Sequence, residues 1–129
     1  HVVRNPLDPI SVMIRRGGKE PSGAIDDYFE QCELVVGIVS RLSPSDVITV
    51  RYEELLADPV AGIRRVCDLV GLKPTVEYLD ACAAVIDGTG APERNKVTWS
   101  RHDIASVESR AAEYQFLSGY RFDLAAETK

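Results

Sequence analysis

The sequence predicts an α/β domain: a parallel sheet, of which two strands are visible, covered by several helices. Three observations carry this expectation. Two short runs rich in β-branched residues, HVVR at 1–4 and VITVRY at 47–52, read as strands. The longer stretches between and after them repeat apolar residues at spacings of three and four, the period of a helix face. Strands and helices alternate, an order that favours parallel pairing. Two strands are too few for a stable parallel sheet, so further strands are expected upstream or in a partner chain.

Residues 1–4 form the first strand. Asn5-Pro6-Leu7-Asp8-Pro9 turns the chain, with Pro9 suited to the first position of a helix over residues 10–16 that stops at Gly17-Gly18. The polar stretch 19–23 leads into an amphipathic helix over 24–42, with Ile25, Phe29, Cys32, Val36, Val39 and Leu42 on its apolar face. Ser43-Pro44-Ser45-Asp46 ends that helix. The strand at 47–52 has adjacent apolar residues, a pattern for burial on both faces. A helical turn at 53–57 precedes Asp58-Pro59, an N-cap followed by proline at the first helical position. Val60, Ile63, Val66, Cys67 and Val70 make the expected buried stripe of the next helix, and Gly71 its C-cap. Another helix covers 75–86, and 87–99 is loop. Ser100 and Asp103 form a capping box with Asp in place of Glu or Gln. They open a last helix over 101–118 with Ile104, Val107, Ala111 and Tyr114 on one face, ended by Gly119. The tail beyond Phe122 is expected to fray. No internal repeat or low-complexity segment is present.

Of the 129 residues, 45% are hydrophobic and 27% charged, and the formal net charge is −5. That composition suits a globular domain. It argues against general binding to nucleic acid or a membrane surface, which needs positive charge, and leaves room for a local basic site for one phosphate. No apolar run reaches the roughly 18 residues of a membrane span, and no signal peptide precedes the first element. Cys32, Cys67 and Cys82 are odd in number and widely spaced, without a CxxC, so they read as reduced core cysteines of a cytoplasmic protein. No metal-binding motif is visible. The chain opens inside a strand, which suggests a trimmed terminus or a piece of a larger protein.

Two segments carry candidate chemistry. In HVVRNPLDPIS a strand ends in Arg4, a turn follows, and a helix begins with Ser11 in its first turn. Ligands of open α/β sheets bind beyond strand C-termini. Free N–H groups at a helix start attract phosphate, and Arg4 and Ser11 can add a forked and a single hydrogen bond. The plainer alternative is that Arg4 pairs with Asp8 across the turn. In VRYEELLADP a strand again leads into a helix, and Tyr52 can offer its ring to a base; the plainer alternative is a core tyrosine with its hydroxyl at the surface.

Together these segments resemble the family of sulfotransferases that use 3′-phosphoadenosine 5′-phosphosulfate (PAPS). HVVRNPLDPIS looks like that family's 3′-phosphate-binding segment. RYEELLADPVAGIRRVCDLVGL looks like its strand–helix motif ending in Gly-Leu, and WSRHDIASVESRAAEYQFLSGY is similar to its C-terminal segment, in which a tryptophan precedes a capped helix ending in Gly-Tyr. The resemblance covers nearly all of residues 1–129, as the C-terminal portion of a single sulfotransferase-like domain with a partial P-loop-NTPase-like parallel sheet.

The resemblance implies that Arg4 and Ser11 contact the 3′-phosphate of PAPS or its product PAP. In many members, though, the serine lies eight residues after the arginine, where this chain has Val12. It implies that Tyr52 approaches the adenine. It places a basic segment before Trp99, commonly Arg-Lys-Gly in the family and Arg94-Asn95-Lys96 here, over the 3′-phosphate, with Arg94 and Lys96 both open as the contact. The family's Gly/Ser/Thr-rich loop for the 5′-phosphosulfate does not occur in these residues, and its catalytic base lies upstream of the Arg4 strand. His1 lies inside that strand, and His102 reads as a surface residue of the last helix. The expectation is therefore a parent enzyme that moves a sulfuryl group from PAPS to an unidentified hydroxyl or amine acceptor. These residues alone would be inactive without the missing N-terminal half or a second copy. The alternative is a non-catalytic helical module that acts through protein contacts; another P-loop enzyme, such as a kinase, shares the architecture without these motifs.

Overall fold

In the computed structural model, which describes residues 1–124, β1 (Val2–Val3) and β2 (Val50–Arg51) pair in parallel, with Val2 opposite Val50 and Val3 opposite Arg51. Six helices accompany them: α1 (Leu7–Gly17), α2 (Pro21–Val39), α3 (Tyr52–Ala57), α4 (Pro59–Leu69), α5 (Val76–Ala84) and α6 (Arg101–Ala111). Short 3-10 turns lie at Pro44–Asp46, Glu93–Lys96 and Gln115–Leu117. The described part is thus mostly helical with a two-stranded parallel sheet. Among the described residues no helix is long and apolar enough to cross a membrane. The expectation of a fraying tail falls mainly on residues 125–129, outside the described part.

One compact unit comprises His1–Val3 and Ile38–Gly90. Its second strand is shorter than the sequence pattern suggests: Val50 is buried, but Thr49 is exposed, so burial on both faces does not extend along the run. Asp58 caps α4 by accepting the Ala61 N–H at 3.1 Å, with Pro59 in the first position, where a missing N–H costs nothing. The helix ends as the glycine predicts. Gly71 takes φ 75°, and the Leu72 N–H reaches back to the Cys67 carbonyl at 2.9 Å, closing the last turn. Thr75 accepts the Tyr78 N–H at 3.2 Å and caps α5. A Cβ on Gly62 would fall 2.5 Å from Leu55 Cδ1, so a larger residue there would displace the Leu55 side chain between α3 and α4. The core here holds Val3, Val50, Cys67 and Leu79. The stripe expected on α4 is only partly buried: Cys67 is inside, while Val66 and Val70 are 45% and 62% exposed. The apolar face is wider than the neighbouring chain that covers it.

The other unit comprises Arg4–Gly37 and the described residues from Ala91 onward. Here α1 starts at Leu7, earlier than expected, and Pro9 sits in its first turn, where an N–H has no helical partner to lose. Gly18 at φ 61° ends it. Likewise α2 begins at Pro21 rather than Ala24 and stops at Val39 rather than Leu42. Ala24, Ile25, Tyr28, Phe29 and Cys32 of α2 are buried, but Val36 is not. Ser100 caps α6 by accepting the Asp103 N–H at 3.0 Å, and its hydroxyl donates to the Asp103 carboxylate at 2.5 Å. The helix stops at Ala111, well short of residue 118. Tyr114 leaves helical geometry (φ −113°, ψ 116°), stacks on Phe29 with centroids 5.8 Å apart and donates its hydroxyl to Glu33. The Arg110 guanidinium lies 4.5 Å from the Phe29 ring centroid and bonds Asp26 at 2.6 Å. All three cysteines are free thiols, and burial pushes the Cys32 thiol up.

Asp58→Ala is expected to cost about 1 kcal/mol in urea unfolding and Asp58→Asn much less, because asparagine keeps the cap acceptor. A second expectation concerns alkaline pH. Burial, then the hydrogen bond to Glu33, pushes the Tyr114 hydroxyl up to about 12. A raised folded value means the protonated form is the one the fold favours. Its contribution is therefore complete below the unfolded value near 10 and is lost as pH rises through about 12. Spectrophotometric titration should show a late tyrosinate component that Tyr114→Phe removes, with a matching loss of the stability change over that window.

A candidate phosphate site at the start of helix α1

The chain after Arg4 folds back on itself through Asn5. The buried Asn5 side chain accepts the Leu7 N–H at 3.1 Å, the Asn5 carbonyl accepts the Asp8 N–H at 3.0 Å, and the Pro6 carbonyl accepts the Ile10 N–H at 3.3 Å. Pro9 has no N–H to give. The Asn5 amide in turn donates to the Arg121 carbonyl at 2.8 Å. The sequence suggested free N–H groups at this helix start; the structure corrects that, because Asn5 and Pro6 already satisfy the first turn. A ligand here would be held by side chains.

Those side chains meet at Asp8. Its residue surface is 3% exposed, so its charge must be compensated locally. Oδ1 accepts the Arg94 backbone N–H at 2.9 Å, and Oδ2 accepts from the Arg94 guanidinium at 2.8 Å. Arg4 Nη2 lies 3.3 Å from the same Oδ2. The Arg4–Asp8 pair that sequence offered as the plain alternative is present, and Arg94, 86 positions along the chain from Asp8, joins it. Two guanidiniums share one carboxylate.

A second charged group lies on the same elements. Glu93 takes Arg15 of α1 at 2.5 Å and Lys96 at 2.7 Å. The Lys96 ammonium, with Arg15 close by, holds the Glu93 carboxyl below the usual carboxylate range. Behind the turn, the indole N–H of the buried Trp99 donates to the Arg94 carbonyl at 3.1 Å. The turn at Glu93–Lys96 is therefore fixed to α1 by Asp8 and Arg15 and backed by Trp99.

The sequence-predicted residues separate on this evidence. Arg4 and Arg94 come together on Asp8, with side chains 33% and 26% exposed. Lys96 is engaged by Glu93. Ser11 is fully buried, and its hydroxyl has no hydrogen-bond partner among the described residues. Tyr52 belongs to the other unit, where it is half-buried as the first residue of α3. His102 is exposed on α6, and no His, Cys, Asp or Glu cluster suited to a metal occurs among the described residues. Sequence reasoning missed the dual role of Asp8 and the parts of Glu93 and Trp99. Asp8 had one legible signal, its i,i+4 spacing from Arg4, but its link to Arg94 is purely tertiary.

A sequence model described as "Sulfotransferase family" matches residues 1–76, more than half of the chain. The chain belongs to the sulfotransferase family. The matched stretch contains Arg4, Asp8, Ser11 and Tyr52 of this sulfotransferase-family chain, while Arg94, Lys96 and Trp99 lie beyond it. No curated protein and no solved structure matches the chain.

Removing the partnerless hydroxyl should help the fold in the absence of ligand. Ser11→Ala is expected to raise unfolding free energy by about 1 kcal/mol, since a buried polar group without a partner costs roughly that or more. A thermal melt of the ligand-free protein checks it.

Proposed function

We propose that this sulfotransferase-family chain takes part in moving a sulfuryl group from PAPS to a hydroxyl or amine acceptor, and that its share is the site for the 3′-phosphate. The observation that carries the proposal is the convergence of Arg4 and Arg94 on Asp8. The two guanidiniums that meet at this carboxylate belong to partly exposed side chains, and their planar forks suit phosphate oxygens. Arg94 is assigned to the phosphate in preference to Lys96 because it meets Arg4 on Asp8, whereas Lys96 pairs with Glu93. Ser11, one turn along α1 from Asp8, has a buried hydroxyl for which a phosphate oxygen would be an acceptor.

In this reading the sheet is part of a P-loop-NTPase-like fold and the protein is cytoplasmic, in keeping with three free thiols. When bound, PAPS supplies the activated sulfuryl group. The chain's own residues grip the remote end of the nucleotide and orient it, and such remote contacts are how binding energy is applied to the reacting end. The 5′-phosphosulfate contacts and the base for the acceptor would come from a segment outside these residues or from a second copy. A non-catalytic helical module is the second reading; the exposed apolar side chains Leu72, Val76 and Val85 are what favour it.

The test is a comparison of two nucleotides by thermal shift and calorimetry. PAP, which carries the 3′-phosphate, is expected to stabilise the protein by about 2.7 kcal/mol at a hundredfold excess over its Kd, and 5′-AMP at the same concentration by clearly less. Arg4→Ala and Arg94→Ala should each erase the difference, and Lys96→Ala should keep most of it. Equal stabilisation by both nucleotides sinks the proposal and leaves the helical module.

A further inference from the structure

We infer that Asp8 is the positioning residue of this site: a buried carboxylate that holds Arg4 and Arg94 side by side from behind, so that together they receive one phosphate monoester dianion. The inference rests on the 3′-phosphate reading above and adds a role for a residue that would not itself touch the ligand.

The Asp8 side chain is 4% exposed, and a carboxylate so placed is stable only with charged donors against it. Three donors are present: the Arg94 N–H, the Arg94 guanidinium and, longer, the Arg4 guanidinium. The Arg94 contact is two-pointed, one bond to the backbone and one to the side chain. It therefore fixes both where residue 94 lies and which way its guanidinium extends. Two guanidiniums repel each other, and without an anion beside them they would separate into solvent. Asp8 removes that repulsion in the empty site. Because the carboxylate is buried and the arginine side chains are partly exposed, a ligand arriving from solvent would meet the arginines rather than the carboxylate. The site is thus assembled before the nucleotide arrives, which saves the ordering cost that binding would otherwise carry.

Simple electrostatics predicts the opposite sign, which makes the test decisive. Removing a negative charge beside a phosphate site should tighten anion binding if charge alone matters. If Asp8 acts by position, Asp8→Asn should weaken it. The measurement is the ratio of PAP to 5′-AMP affinity by calorimetry, in wild type, Asp8→Asn, Asp8→Glu, Arg94→Ala and the Asp8→Asn/Arg94→Ala double variant. The expected result is a roughly tenfold fall of the ratio in Asp8→Asn, about the worth of one charge-assisted hydrogen bond. No further fall should appear when Asp8→Asn is added to Arg94→Ala, because without Arg94 there is no guanidinium pair left for Asp8 to hold together. Asp8→Glu keeps the charge but displaces it, and should also lower the ratio; it serves if Asp8→Asn does not fold. A ratio kept or raised in Asp8→Asn, a wild-type ratio in Asp8→Glu, or additive losses in the double variant would each overturn the role of Asp8 and leave the 3′-phosphate reading standing. A wild-type protein that does not distinguish PAP from 5′-AMP overturns both.

Discussion

A carboxylate that water cannot reach imposes conditions on everything around it. Asp8 sits between Pro6 and Pro9 in the first turn of α1, a region where acidic side chains are favoured by the helix dipole. Burial removes the water that would otherwise solvate it, and the remaining option is cationic donors. Arg4 is supplied locally, one helical turn earlier. Arg94 is supplied from far along the chain, and its backbone N–H contributes as well. The position of the Glu93–Lys96 turn follows from that requirement. Glu93 then lies within reach of Arg15, and the Arg94 carbonyl within reach of the Trp99 indole. A line of alternating charge thus orders a segment that contains no long helix or strand of its own.

The aromatic cluster of the same unit works on a different principle. Phe29, Tyr114 and the Arg110 guanidinium stack through ring faces and edges, where geometry and apolar area act together. The early end of α6 is the local consequence: a continued helix would carry Tyr114 onward along the axis, and the stack with Phe29 and the bond to Glu33 reward leaving it.

Local chemistry made much of the fold legible. Asp58-Pro59, Thr75, Ser100, Gly18 and Gly71 mark helix ends because capping and positive φ are decided within a few residues. Periodicity was less informative about burial. It identifies an apolar face, as at Val66 and Val70 or Val36, but whether that face is covered depends on chain far away in sequence. The last helix ends before its pattern predicts for a similar reason, since its residues are good helix formers and the tertiary contacts of Tyr114 with Phe29 and Glu33 draw the chain out of it. The site shows the same division. Arg4 and Asp8 are visible as an i,i+4 pair. Which carboxylate Arg94 and Lys96 each pair with is not visible, because Asp8 and Glu93 meet them only after the chain has folded.

Trp99 is the one tryptophan in the sequence, and its indole is tied to the carbonyl of Arg94. Intrinsic fluorescence excited at the red edge therefore comes from a single fluorophore set against the very turn that carries the arginine. Its emission reports on that turn rather than on the average of the protein, so a spectroscopic gauge of the segment is built into the native chain and needs no added label.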